Sequence, residues 1–150
     1  QIIYKKVDVT MALNGALAGL VSITAEPLAP TALASIIIGA IGGVIVVFAV
    51  PMLDKLKIDD VVGAIPVHLM AGIWGTMVVP FSNSDATYYV QFIGVVAIGA
   101  FTLVASAVVW FILKFTMGIR ASEEEEAMGL DKAEIGVEAY PEFGSGSGRL

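Results

Sequence analysis

Cysteine is absent from this sequence, and histidine occurs once. The first absence excludes disulfides and thiolate metal sites and leaves the redox compartment open. The second leaves zinc, which takes three or four protein ligands, without a cluster to hold it: no second His, Cys or carboxylate lies at ligand spacing near His68. Charge is scarce too. Charged residues make up 15% of the chain and hydrophobic ones 57%, against roughly 25% and 45–50% in soluble domains. With a mean hydropathy of +0.88, this is the composition of a membrane protein.

The few charges are clustered. Uncharged runs cover residues 9–25, 27–53, 61–84 and 86–113, each near or above the roughly 20 residues that span a bilayer. They predict an all-α membrane protein, a polytopic bundle of four transmembrane helices at about 7–25, 31–53, 60–80 and 87–118. A cytoplasmic tail at 120–143 and a flexible Gly/Ser extension at 144–150 follow. Lys5, Lys6, Lys55, Lys57, Lys114 and Arg120 flank alternate ends of the helices, whereas Glu26 and the "SNSDAT" stretch have no basic neighbour. The positive-inside rule then puts both ends of the chain in the cytoplasm. The net charge of −6 reflects the tail, since eight of the 14 acidic residues lie beyond Arg120. It argues against a nucleic-acid partner. The opening "QIIYKKVDVT" has no initiator methionine and no signal-peptide pattern, which reads as internal to a longer protein.

Small residues spaced four apart in "GALAG" (Gly15, Gly19) and "GAIGG" (Gly39, Gly43) share a helix face and let another backbone approach. Ordinary contacts within one protomer explain them better than a dedicated dimer motif. Pro51 falls at the expected end of the second helix. Pro66 lies inside the expected third helix and cannot donate to the carbonyl of Val62, so that carbonyl needs another partner. Asn14 and Thr24 are polar residues of helix one with packing roles open to them. Trp74, Trp110, Tyr88 and Tyr89 fit packing or interfacial positions.

His68 stands out because an ionisable group in a bilayer span is costly and defaults to a functional hypothesis. Three roles are open: proton relay, hydrogen-bond partner of a polar permeant, and, least supported, metal ligand. Asp59 and Asp60 read first as caps on the helix that carries it. In the tail, "SEEE" (Ser122 to Glu125) reads as a capping box with Gly129 as a stop, "DKAE" (Asp131 to Glu134) repeats the device before Gly136, and Arg120 can pair with Glu124 one turn on. No nucleophile–base pair, phosphate loop or metal cluster supports an enzyme, and none calls for a cofactor.

Three ordered stretches, "LNGALAGLVSITA", "DDVVGAIPVHLMAGIWGT" and "GIRASEEEEAMGLDKAEIGVEAYPEF", resemble the closing part of ammonium transporters of the Amt/Mep/Rh family, from Asn14 to Phe143. The resemblance implies that these helices are the last four of eleven in a homotrimer of the plasma membrane. Each protomer of that fold has its own narrow, mostly apolar pore lined by two hydrogen-bonded histidines. His68 matches one of the pair; its partner would belong to the helices not in this chain. The implied role is to help strip the proton from ammonium and pass ammonia and proton by coupled routes. Thr24 matches a position near the pore, and Asp60 and Pro66 support the histidine helix. The tail, with Arg120, Glu124, Gly129, Asp131 and Tyr140, matches a regulatory segment that in many members meets a trimeric PII-type signal protein. The chain departs from the pattern at Ile135 to Val137, "IGV" where "HGE" is frequent, and at "HLMAG" where "HGVGG" is frequent. An ammonium sensor of the same fold, and a chain with no transport of its own, are the alternatives.

Overall fold

A computed structural model describes residue 5 and residues 7–141. The expected extension at 144–150, Lys6 and the last two residues of the expected tail lie outside the described residues. Every element in the described residues is helical: α1 (Val9–Ile23), α2 (Ala32–Lys55), α3 (Ile65–Ser82), α4 (Tyr88–Thr116), α5 (Glu123–Met128) and a π-helical turn at Asp131–Ile135. The chain forms two compact units, residues 1–101 and 102–150, with the boundary inside α4.

In the first unit, the helix starts are set by side chains that satisfy orphan backbone donors. The Asp8 carboxylate accepts from the Met11 N–H at 2.9 Å to open α1, and the Thr31 hydroxyl accepts from Ala34 N–H at 3.3 Å to open α2. α1 and α2 then run antiparallel along a seam of glycines. A Cβ on Gly19 would stand 3.4 Å from the Gly39 carbonyl oxygen, and one on Gly43 would stand 3.5 Å from that of Gly15. The two small-residue motifs therefore face each other within one chain, as the sequence suggests. Lipid is as apolar as leucine, so close packing of this sort, rather than exclusion of apolar side chains from the surroundings, joins the helices.

α3 completes a three-helix node around Ser22, which is buried with Ala18, Val46 and Ala71. The Ser22 hydroxyl donates to the Ala18 carbonyl at 2.7 Å, and the Ala71 carbonyl lies 3.5 Å away. Gly42 of α2 and Gly75 of α3 both abut Ser22: a Cβ on the first would collide with its hydroxyl, and on the second with its backbone carbonyl. Asn14 meets Val62, and Ser22 meets Ala71, so α1 and α3 run parallel. The Trp74 indole N–H donates to the Ile38 carbonyl at 3.0 Å, pinning α3 antiparallel to α2. At one end of the unit the Asn83 amide donates to the Glu26 carboxylate at 2.7 Å, joining the α1–α2 loop to the α3–α4 loop.

Three of the four expected spans, α2, α3 and α4, are long and apolar enough to cross a membrane. α1 has 15 residues, which at about 1.5 Å per residue is about 22 Å, short of the roughly 30 Å hydrocarbon thickness. α2 continues past Pro51 to Lys55. α3 starts four residues later than the uncharged run suggests, because Gly63, at φ 75°, turns the chain before the helix. Pro66 consequently sits in the first turn of α3 rather than inside the span. α4 buries none of its residues.

In the second unit the capping box forms as expected. The Ser122 hydroxyl accepts from Glu125 N–H at 3.3 Å while the Glu125 carboxylate accepts from the Ser122 N–H at 2.8 Å. Two expectations for the tail are corrected. Arg120 lies 3.8 Å from Glu126, not against Glu124, because α5 begins only at Glu123 and Arg120 is outside its helical register. Asp131 does not cap a second helix through a box with Glu134. Its carboxylate instead accepts from its neighbour Lys132 N–H at 2.9 Å and from Ala139 N–H at 2.8 Å, closing a ring. Lys132 and Glu138 brace that ring with an ion pair at 3.1 Å.

Candidate functional site

The first six residues of α3, Ile65–Met70, form a π-helix that contains both Pro66 and His68. Such segments are rare and collect at functional sites, because the extra residue per turn re-aims side chains. Side chains from α1, from the preceding loop and from the segment itself hold this one. The Asp60 carboxylate accepts from Ala64 N–H and Ile65 N–H, one on each oxygen and both at 2.8 Å. A negative charge on the first turn also complements the positive end of the helix. Pro66 and Val67 are buried against the other helices. The Asn14 amide of α1 donates to the Val62 carbonyl at 3.0 Å, in the turn that precedes the helix.

The register of α3 separates its faces. Val67, Ala71, Gly75 and Val79, at intervals of four, are buried toward α1 and α2. Met70, Trp74 and Val78 flank them and are half-buried. His68 is exposed, followed at intervals of four by the half-buried Gly72 and Thr76, with Leu69 and Ile73 exposed beside it. The chain's one imidazole thus lies on a face that α1 and α2 leave uncovered, among apolar neighbours. An imidazole there can donate from one nitrogen and accept at the other.

The structure brings Asp60 and Pro66 to the root of the His68 segment. It does not bring Thr24 there. Thr24 is the C-cap of α1, exposed, with its hydroxyl donating to the Val21 carbonyl at 2.8 Å. It stands beyond the level of Ser22, which faces Ala71, more than a helical turn past His68. Asn14 is the residue that sequence reasoning undervalues. Its signal in the sequence is faint: a polar side chain in an otherwise apolar stretch.

An open cavity of about 420 Å³ is an apolar groove between α2 and α3 lined by Ile37, Ile38, Ile41, Trp74, Val78 and Phe81. His68 does not line it, so the groove and the imidazole are separate features of α3. Among the described residues no group of three or more His, Asp or Glu side chains could hold a metal ion.

The tail residues form a second, purely polar constellation. Hydrogen bonds from the Ser122 backbone and hydroxyl hold the Glu125 carboxyl below its ordinary pKa, and those from the Ala139 and Lys132 backbones do the same for Asp131. Gly129, at φ 98°, ends α5, and Gly136, at φ 75°, ends the π-helical turn. Glu124 and Tyr140 are exposed.

Comparison with known proteins converges on one group. The family model described as the Ammonium Transporter Family matches residues 1–140. The chain is 43% identical over 150 residues to the ammonium transporter Amt1 of Haloferax mediterranei, covering 95% of this chain and 29% of that protein. It is 38% identical over 158 residues to the ammonium transporter Amt2 of Archaeoglobus fulgidus, covering 92% and 34%. It is 35% identical over 155 residues to the ammonium transporter of Bacillus subtilis, covering 93% and 38%. The chain therefore spans about a third of the length of the curated relatives it matches. With its helical membrane architecture and a match over nearly every residue, this chain belongs to the Ammonium Transporter Family.

Proposed function

We propose that this chain supplies one wall of an ammonium pathway across the plasma membrane, with His68 facing the permeant and the other walls contributed by helices outside the 150 residues. The observation that carries the reading is the exposed imidazole on the uncovered face of α3 in a member of a transporter family. The physical logic is desolvation. A bare ammonium ion entering a dry, apolar passage loses its hydration at a cost far above that of neutral ammonia. Losing a proton at the entrance of such a passage removes most of that cost, and ammonia then needs only hydrogen-bond partners on the way.

His68 meets both needs. Its ring takes the proton that ammonium gives up and hands it on to a partner histidine on another helix, and, neutral again, accepts a hydrogen bond from the ammonia left behind. Asp60, Asn14 and the buried Pro66 keep the ring's backbone in place, so its position does not depend on the permeant. Thr24, at the far end of α1, contributes to the mouth of the pathway rather than to the histidine level. The whole protein works as a homotrimer with both ends of this chain cytoplasmic. The tail, through Arg120, Glu124, Gly129, Asp131 and Tyr140, is its regulatory segment and the surface offered to a PII-type signal protein.

The test is the ammonium-evoked current of the full-length parent in proteoliposomes, compared with His68→Ala at equal reconstitution. The expected result is a fall on the order of a hundredfold, the scale of a positioned proton-transfer group, with assembly intact. An unchanged current overturns the role given to His68. The 150-residue chain alone is expected to carry no ammonium-dependent current.

A further inference from the structure

We infer that Asn14 is a positioning residue for His68: its amide fixes the turn at Val62–Gly63 and thereby the π-helical start of α3 that aims the imidazole. The inference rests on the pathway reading above for its functional meaning, but its geometry stands by itself.

The first support is the hydrogen bond at 3.0 Å from the Asn14 side chain to the Val62 carbonyl, 48 residues away in sequence. That carbonyl lies in the turn at Gly63, ahead of the start of α3 at Ile65. It is engaged from another helix rather than from the chain's own loop. The second support is the fit at Gly63. Its φ of 75° suits glycine, and a Cβ built there would stand 2.7 Å from the Asn14 amide nitrogen. Side chain and turn are therefore shaped to each other on both sides of the bond. The third is connectivity: the Gly63 carbonyl accepts from Val67 N–H at 3.1 Å, so the turn that Asn14 grips is bonded to the residue next to His68.

Asp60 alone does not do this. Its carboxylate engages Ala64 and Ile65 from the chain's own loop, and it caps whatever helix begins there. Asn14 adds a hydrogen bond that ties that beginning to α1, beside the packing of Val67 in the core with Ala18. The direction of the imidazole relative to the rest of the first unit is therefore set by this amide together with the burial of Pro66 and Val67.

The chain's single histidine makes the test direct. Ring-labelled histidine in the bilayer-reconstituted chain gives one imidazole whose nitrogen and carbon shifts report tautomer and surroundings. Three proteins are compared: native, Asn14→Leu, which keeps the branched shape but has no donor, and Gly63→Ala, which keeps the amide but pushes on it. In both variants the His68 ring signals are expected to move or split, and exchange of the Val67 amide proton to quicken by about fivefold or more, the scale of one lost hydrogen bond. The Trp74 indole proton, bonded to Ile38 on the opposite flank of α3, is expected to keep its protection.

Unmoved His68 signals in Asn14→Leu overturn the inference, whatever Gly63→Ala does. Loss of Trp74 protection together with that of Val67 also overturns it, because Asn14 would then hold the fold as a whole. Failure of the pathway reading looks different: His68→Ala would leave the parent's current intact while the ring signals still respond to Asn14→Leu.

Discussion

Two π-helical segments occur among the described residues, Ile65–Met70 and Asp131–Ile135, and each is organised by one aspartate carboxylate that accepts from two backbone N–H groups. The likeness ends there. The first segment buries Pro66 and Val67 and is tied to α1 by Asn14, whereas the second buries nothing. A carboxylate clamp can shape a short stretch of backbone by itself, but only packing fixes where that stretch points. The first segment is thus suited to hold a ring in register, and the second to be reshaped by a change in charge or by a bound protein.

The largest expected effect breaks the packed side of this contrast. Gly75→Val drives a side chain into the Ser22 backbone, with no flexible group to yield, and should cost about 3 kcal/mol or more. Thermal unfolding in detergent should drop accordingly and α3 should separate from α1. Asp60→Ala comes next. Removing a helix cap of this type costs about 1–2 kcal/mol, and faster exchange should be seen at Ala64 and Ile65 while the Ser22 node stays protected.

Smaller effects belong to the tail. Asp131→Asn should open the ring at Ala139, read as faster exchange of that amide and of Lys132, with no change in the first unit's amides. Acid should act similarly. The Glu125 and Asp131 carboxyls titrate below their unfolded values, so the stability they add is present above the ordinary carboxylate range and is lost as pH falls through their lowered folded values. Falling pH should therefore fray α5 and the π-helical turn together, seen as loss of amide protection at Glu125 and Ala139. Arg120→Ala should leave both unaffected, since its contact with Glu126 is solvent-exposed.

Much of the first unit is legible in the sequence because its devices are local or periodic. Uncharged runs mark α2, α3 and α4, and glycines four apart at 15, 19, 39 and 43 mark the seam. "SEEE" marks the tail's capping box, since all its partners lie within four residues. The start of α3 is not legible, because "DDVVGAIP" offers acidic caps at 59 and 60 but hides a left-handed turn at Gly63 that delays the helix. Nor is the Arg120–Glu126 contact, which a helical spacing rule misses when one partner lies outside the helix. His68 can be singled out as the lone ionisable group of its run. What orients it cannot be seen locally, because that bond crosses 48 residues.

The glycine seam bears on how the chain enters the bilayer. A helix of 15 residues is a poor candidate to partition from the translocation channel alone, yet α2 has 24 residues and high hydropathy. Gly15 and Gly19 let α1 lie directly against that longer neighbour, separated from it by a loop of only eight residues, 24–31. α2 therefore covers one face of its shorter partner, and the two pack as a single hairpin.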